Sequence, residues 1–506
     1  MALAARNPAV EGWEDFEGSF WYNTLMPKVK VRFAPSPTGF LHVGGLRTAL
    51  FNFLLARHEG GKFILRIEDT GRSREVAGAE ENIIQTLKDF KLDFDEGPVK
   101  QSQRLPIYKK YADELIAKGA AYKCYCSADR IEQLKAEAAA SKIPFKYDKK
   151  CLTSPQPSPE SERGQYVVRQ NIPEEGSVEF EDLVHGKIKV ENRTLDDGIL
   201  LKSDGYPVYN FANVVDDHEM GITHAIRGEE FIPSTPKHIL LYRAFGWSVP
   251  RFAHLPLLLD KNRKKLSKRF GDVAVREYVE KGYLKEALLN FVALLGWNPK
   301  TTREIFSLEE LVSEFSLEKV NRAGAGFDIE KLDFINREWQ KKLDLGIRDP
   351  MYERAKKMLS SRADESAGYK TLKLVWPLIL ERVKGPSELE TRLPEFYFFF
   401  EEPEYDAKLL IWKDTKSQEI KEALRKSLEL ISNLPALPAD RQFPISKQDA
   451  ENRFFEMIGD SDKGLFLWPL RVAFSGLRNS PGPFEIMEIL DKDTALRRIQ
   501  AAIEKL

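Results

Sequence analysis

The stretch Ala34-Pro35-Ser36-Pro37-Thr38-Gly39-Phe40-Leu41-His42-Val43-Gly44-Gly45-Leu46 constrains the fold more than any other part of the chain. Ahead of it, Val29, Val31 and Phe33 alternate with polar residues, which predicts a strand over 29–34. Behind it, Leu46, Ala49, Leu50, Phe53 and Leu54 recur at helical spacing and predict a helix over 44–57. Pro35, Pro37 and Gly39 stop any regular element between the two. Strand, tight loop and helix together aim backbone N–H groups and a positive dipole end at an anion. Gly44 and Gly45 lack Cβ atoms, so a ligand can approach the backbone closely there. His42 is placed to donate a hydrogen bond to a phosphate oxygen. A histidine beside two glycines is also an ordinary structural turn, and the local pattern does not choose between the two.

A second stretch bears on the choice. The apolar run His254-Leu255-Pro256-Leu257-Leu258-Leu259, a candidate buried strand, leads into Arg263-Lys264-Lys265-Leu266-Ser267-Lys268-Arg269. Most charge runs are solvated faces, but a basic loop following a strand also suits a polyphosphate. The chain as a whole carries no such bias, since 77 Lys and Arg balance 78 Asp and Glu. Any face that binds nucleic acid must therefore be local. No apolar run reaches the length of a membrane span. Three cysteines argue against a disulfide framework and fit a reducing cytosol. Residues 1–27 contain Glu11, Glu14, Asp15 and Glu17, a poor composition for an organelle-targeting peptide, and receive no function.

The first hundred residues continue with a strand at Lys62–Ile67 and a helix through Ile83, Ile84, Leu87 and Phe90. That βαβα order predicts half of an α/β, doubly wound parallel sheet. Ligands bind beyond the carboxyl ends of such strands, where Ser36 and Glu68 fall. Residues 109–199 read differently, with a helix at Leu105–Lys118, a charged helix at Asp129–Ser141 and short strands near 166–169, 177–180 and 187–190. They form an expected α+β insertion. The parallel fold is expected to resume at 200 and run to 265. Tyr283, Leu284, Ala287, Leu288, Phe291 and Leu295 make a helical stripe that reads as core. From 336 to 506 nearly every segment reads helical, with proline-containing breaks.

The two opening stretches resemble the HIGH and KMSKS signatures of class I aminoacyl-tRNA synthetases. Arg66-Ile67-Glu68-Asp69-Thr70, Gly205-Tyr206-Pro207-Val208-Tyr209, Ala212-Asn213-Val214-Val215-Asp216-Asp217-His218 and Ile226-Arg227-Gly228-Glu229-Glu230 narrow the resemblance to bacterial-type glutamyl-tRNA synthetases. The likeness runs from about Lys28 to the C-terminus. It implies a Rossmann-type catalytic domain (28–108 and 200–265), an insertion that receives the tRNA acceptor end (109–199), a stem-contact region (266–335) and an all-α anticodon-binding region (336–506). Glutamyl members activate glutamate with ATP to glutamyl-adenylate and transfer it to the terminal adenosine of tRNA(Glu), generally needing tRNA for the first step.

The resemblance also implies roles. His42, Lys265 and Lys268 would be catalytic, and His42, Gly44, Gly45, Glu230, Lys265, Ser267 and Lys268 would bind ATP with its Mg2+. Arg32, Ser36, Glu68, Tyr209, Asn213 and Arg227 would bind glutamate, with Glu68 receiving the α-amino group. Glutamate has two carboxylates, so two arginines are expected, and a guanidinium fork holds a carboxylate bidentately. Residue by residue, Glu68 and Asp69 also read as a turn cluster, and either arginine also reads as the partner of a neighbouring acid. Arg382 is the candidate anticodon reader, with Arg471 and Arg478 behind it. Cys124, Cys126 and Cys151 resemble the zinc-binding insertion of some bacterial members. The usual fourth ligand, a histidine, is replaced by Thr153. Tyr147 or a water would complete the shell, or the three are ordinary thiols. A metal site at His218 is not supported by its spacing.

The expected form is a cytoplasmic monomer, with no membrane partner. Three other readings compete: an enzyme that also charges tRNA(Gln), a tRNA-modifying or small-molecule adenylyltransferase of the same superfamily, and a non-catalytic RNA-binding relative.

Overall fold

The computed structural model describes residues 28–153, 165–266, 274–360, 365–435 and 446–506. Strand β1 (Lys30–Phe33) leads through the proline-rich loop into helix α1 (Val43–His58), and β2 (Lys62–Ile67) follows. β2 lies parallel to β1, with Phe33 beside Leu65, and β3 (Glu96–Lys100) lies parallel to β2 on its other side. α1 buries residues around its whole circumference, from Val43 through Phe51 and Phe53 to Ala56. A helix apolar on every side has to be covered on every side, and α1 runs through the middle of the largest apolar core.

β4 (Ala121–Cys124) and β5 (Val167–Gln170) pair antiparallel in the insertion, preceded by the helix Leu105–Ala117. β6 (Ser177–Asp182) and β7 (Gly186–Glu191) form a hairpin, and β8 (Ile199–Leu201) comes next. Two placements here differ from expectation. The β6–β7 hairpin leaves the insertion and joins β9 (His224–Gly228) and β10 (Arg251–Leu255) in a four-stranded sheet of order β7-β6-β10-β9. A lone hairpin has no stable core, and Val178 of β6 finds one by packing with Ala225, Ile239 and Phe252. Conversely, Ile199–Leu201 does not reopen the parallel sheet but pairs antiparallel with β5. The parallel sheets meet where the Thr223 N–H donates to the Lys30 carbonyl at 2.9 Å, which sets β9 alongside β1.

The run 254–259 is not one strand. β10 ends at Leu255, Pro256 interrupts, and Leu258–Leu259 pairs with Ala325–Gly326.

The region 266–335 has no core of its own. Its helices Lys285–Leu294 and Leu308–Glu314 bury Leu288, Phe291 and Leu311 in the same cluster as α1. The expected boundary at 335 also falls inside a helix, Ile329–Leu343, whose Leu332, Ile335 and Trp339 belong to that cluster. The division comes after it, where Asp349 caps the helix Pro350–Leu359 by accepting from Met351 N–H. From there to Lys505 the described elements are all helical and enclose a second core containing Trp376, Phe396, Leu424, Phe474 and Ile499. Among the described residues no helix is long and apolar enough to cross a membrane.

Candidate active site

The carboxyl ends of β1, β2, β9 and β10 open into one cleft of about 1070 Å³. Its walls include Arg32, Ser36, His42, Gly44, Gly45, Glu68, Tyr209, Asn213, Arg227, Glu230 and Lys265. Every ATP- and glutamate-site candidate within the described residues is thus brought together. Ser267 and Lys268 lie outside the described residues.

At one end of the cleft, His42 is the N-cap of α1, and its Nδ1 accepts from the Gly45 N–H at 3.1 Å. That bond fixes the tautomer, because a nitrogen that accepts carries no proton, and Nε2 is left as the donor. A Cβ on Gly44 would lie 3.1 Å from the His42 ring, and one on Gly45 would lie 2.7 Å from Leu41 Cδ1. The two glycines therefore seat the imidazole at the helix N-terminus. The Leu41 N–H donates to Asn82 Oδ1 at 3.0 Å and ties the loop to the next helix. Lys265 is held opposite Leu259 in a bridge that turns the chain back toward the cleft.

At the other end, a buried network holds four charged side chains in place. Arg66 on β2 donates from Nη1 to Asp217 at 2.8 Å and from Nη2 to Glu68 at 3.0 Å. Arg32 on β1 donates from Nε to the same Asp217 oxygen at 3.0 Å. Burial pushes the Glu68 carboxyl up, while Arg66 and Arg32 pull it down. Asp217 is held below the usual carboxylate range by the same two arginines against the penalty of its burial. The adjacent Asp69 accepts from Ser102 N–H at 2.8 Å and so anchors the segment that follows β3. Asn213 is 3% exposed, and its Nδ2 is buried with no hydrogen-bond partner among the described residues. An unpaired buried donor is costly, and this one lines the cleft.

Arg227 extends from the end of β9. It donates to Tyr209 OH at 3.2 Å, Thr235 Oγ1 at 2.8 Å, His254 Nε2 at 3.1 Å and His238 Nδ1 at 3.2 Å. Among the sequence motifs Arg66 and Asp217 were visible without a role. Asp182, His238 and His254 gave no signal, because their partners are remote in sequence.

Outside the cleft, Cys124, Cys126 and Cys151 bring their sulfurs within 4.8 Å of one another, and the described residues hold no other group of His, Cys, Asp and Glu fit for a metal. The Tyr147 hydroxyl lies 3.4 Å from Cys124 Sγ and 3.2 Å from Cys126 Sγ, and accepts from Cys151 N–H at 3.3 Å. Thr153 turns away, donating to the Lys150 carbonyl at 3.1 Å. His218 stacks on Trp247, with ring centroids 3.7 Å apart. Arg382 pairs with Glu485 at 3.6 Å in the helical region.

Residues 28–334 match the family model for the class I tRNA synthetase (E and Q) catalytic domain, and residues 350–503 match an anticodon binding domain. The chain is 45% identical to a glutamate–tRNA ligase of Clostridium kluyveri over 501 residues, covering 95% of this chain and 99% of the relative. It is 44% identical to the corresponding ligase of Clostridium acetobutylicum, with the same coverages. A crystal structure of a glutamate–tRNA ligase from Elizabethkingia meningosepticum, in complex with its amino acid, superimposes with a TM-score of 0.79 at 35% identity, covering 94% of this chain and 99% of that one. The chain belongs to the glutamate–tRNA ligases, within the class I aminoacyl-tRNA synthetases.

Proposed function

We propose that this protein activates glutamate with ATP and transfers the glutamyl group to the 3′-terminal adenosine of tRNA(Glu). The observation that carries this reading is the cleft itself. Two strand-end arginines, a buried carboxylate and the unpaired Asn213 amide occupy one end, and a helix N-terminus with His42 and Lys265 occupies the other. An amino acid with a second carboxylate fits the first end, and a polyphosphate fits the second.

In the first step the α-carboxylate of glutamate attacks the α-phosphate of ATP, and pyrophosphate leaves. Charge builds on phosphate oxygens, so positioning and electrostatics supply most of the catalysis. His42 Nε2–H and the N–H groups at the start of α1 stabilise that charge, and Lys265 faces the leaving pyrophosphate, a role that the basic motif extends to Ser267 and Lys268. Magnesium enters on the nucleotide, coordinated by phosphate oxygens and water. Glu68 receives the α-amino group, Arg32 and Arg227 divide the two carboxylates, and Ser36, Tyr209 and Asn213 hydrogen-bond the substrate. In the second step a ribose hydroxyl of the tRNA terminus attacks the activated carbonyl and AMP leaves.

The insertion is the proposed seat of the acceptor end, the helices of 275–314 contact the stem, and the helical region reads the anticodon, with Arg382 as the reader. The three thiols supply three of the four ligands of a structural zinc site, with the Tyr147 hydroxyl or a water to complete the shell. Zinc there would cross-link β4 to the segment 147–151 and would take no part in phosphate chemistry. Free thiols agree with a cytoplasmic location, and we take the working form to be a monomer.

The test is charging of purified tRNA(Glu) and tRNA(Gln) with labelled glutamate and glutamine. Glutamate on tRNA(Glu) is the expected product. Absence of that product, or equal use of glutamine, would overturn the reading. Glutamate on both tRNAs would identify an enzyme that does not discriminate between them.

A further inference from the structure

Arg227 differs from the other buried arginines of the cleft in the company it keeps. Arg32 and Arg66 share Asp217, so part of their charge is answered within the chain. Arg227 is 4% exposed, its hydrogen-bond partners among the described residues are two imidazoles, a phenol and a threonine hydroxyl, and its guanidinium also lies over the neutral rings of Phe231 and Phe252. All of them are neutral when they accept. The nearest acid in this network, Asp182, stands one residue further back, behind His254.

The protonation pattern follows from donor and acceptor counting. Arginine only donates, so His254 Nε2 must hold the lone pair that receives Arg227 Nε–H. His254 then carries its proton on Nδ1 and donates it to Asp182 Oδ2 at 2.6 Å. Asp182 is itself immobilised, because its other oxygen accepts from the N–H groups of Val184 and His185 at 3.0 and 2.9 Å. The same logic applies to His238, which accepts from Arg227 at Nδ1 and donates from Nε2 to Asn210 Oδ1 at 2.9 Å. Both imidazoles are buried, which favours their neutral forms.

We propose that Asp182 and His254 are a positioning dyad for Arg227. The carboxylate fixes the imidazole tautomer, the imidazole anchors the guanidinium, and a neutral anchor leaves the full positive charge facing the substrate. An acid placed directly on Arg227 would neutralise it, and the cleft would then accept an amide as well as a carboxylate. The interposed histidine therefore makes the pocket select glutamate over glutamine. This rests on reading Arg227 as a partner of the substrate's side-chain carboxylate.

The experiment is steady-state charging of tRNA(Glu) with glutamate and with glutamine, for Asp182→Asn, His254→Gln, His254→Leu and Arg227→Gln beside the parent. In Asp182→Asn the backbone N–H groups keep the amide oxygen, and the NH2 group is presented to His254 Nδ1. That forces the opposite tautomer and sets N–H against N–H at Arg227. The KM for glutamate should rise roughly 10–100-fold, the range for orienting partners behind a binding group. The KM for ATP should stay unchanged, and the preference for glutamate over glutamine should fall. His254→Gln can accept from Arg227 with Oε1 and donate to Asp182 with Nε2, so it should keep most glutamate affinity, whereas His254→Leu should lose it. An unchanged glutamate KM in Asp182→Asn would overturn the dyad. So would equal rises in both KM values, or equal losses in the Gln and Leu variants. If Asp182→Asn fails to fold, the Gln and Leu pair decides alone. A glutamate KM untouched by Arg227→Gln would instead refute the reading of Arg227 on which the dyad rests.

Discussion

Replacing Arg66 by Met should convert a structural change into a pH dependence. Arg66 is fully buried and touches three carboxylates, but they do not depend on it equally. Asp217 keeps Arg32, and Asp216 keeps Gln101, Arg104 and Tyr108. Glu68 accepts a side-chain hydrogen bond from no other described residue. Its carboxyl is already raised by burial, and Arg66 is the strongest influence holding it down. Loss of an opposite charge at this range raises a carboxyl by about 1–3 pK units, and each unit is about 1.4 kcal/mol. Glu68 would then hold its proton to higher pH than in the parent and, while protonated, could not receive an α-ammonium group as an anion. Removing one side of a buried pair also costs about 3–5 kcal/mol of stability, so the variant should be assayed well below its melting temperature. With charging of tRNA measured from pH 6 to 9, kcat/KM for glutamate should gain an ascending limb in the variant, shifted about 1–3 units above any in the parent. Profiles that run parallel, differing only in height, would refute the assignment of Glu68 as an ionised ligand.

Lys265→Ala should lower adenylate formation roughly 10²–10³-fold with tRNA affinity unchanged, and pyrophosphate exchange at the parent rate would remove Lys265 from the phosphate site. Replacing Cys124 and Cys126 together by Ser should cut zinc content from about one equivalent in protein purified without chelators, and less than a tenth of an equivalent in the parent would dismiss the metal altogether. Acidification should destabilise the fold through His238 and His254. Burial lowers both below the ordinary histidine value, so between roughly pH 6.5 and the lower folded values the unfolded chain binds more protons. Stability then falls with pH by up to about 1.4 kcal/mol per unit for each. A melting temperature that holds or rises between pH 7 and 5.5 would contradict this.

The contrast between β1 and β6 shows what the sequence could disclose. β1, its loop and α1 are contiguous, so alternation, prolines and helical spacing identified all three. Ser36 and Glu68 could be placed at strand ends because a parallel sheet puts ligands there. β6 and β7 also alternate clearly, but alternation identifies a hairpin without naming the sheet it joins. Its true neighbour, Phe252, is 70 residues beyond Asp182 in sequence. The pairing of Arg32 and Arg66 with Asp217 was equally beyond reach, since contacts across 185 and 151 residues leave no periodic trace. The helix Ile329–Leu343 buries one stripe, Leu332, Ile335, Asn336 and Trp339, and such a stripe in a sequence does not say which of two cores it faces.

The placement of β6 has a consequence for engineering by recombination. Residues 109–199 look like a cassette that could be exchanged between relatives to alter which tRNA is accepted. Asp182 lies inside those limits, and its hydrogen bond to His254 reaches into the neighbouring half of the chain. A chimera cut at 109 and 199 would therefore inherit its amino-acid pocket from two parents. Where the donor supplies anything but an acid at that position, the hybrid would be altered in its choice of amino acid as well as of tRNA. Junctions that leave the β6–β7 hairpin with the recipient would keep the two choices separable.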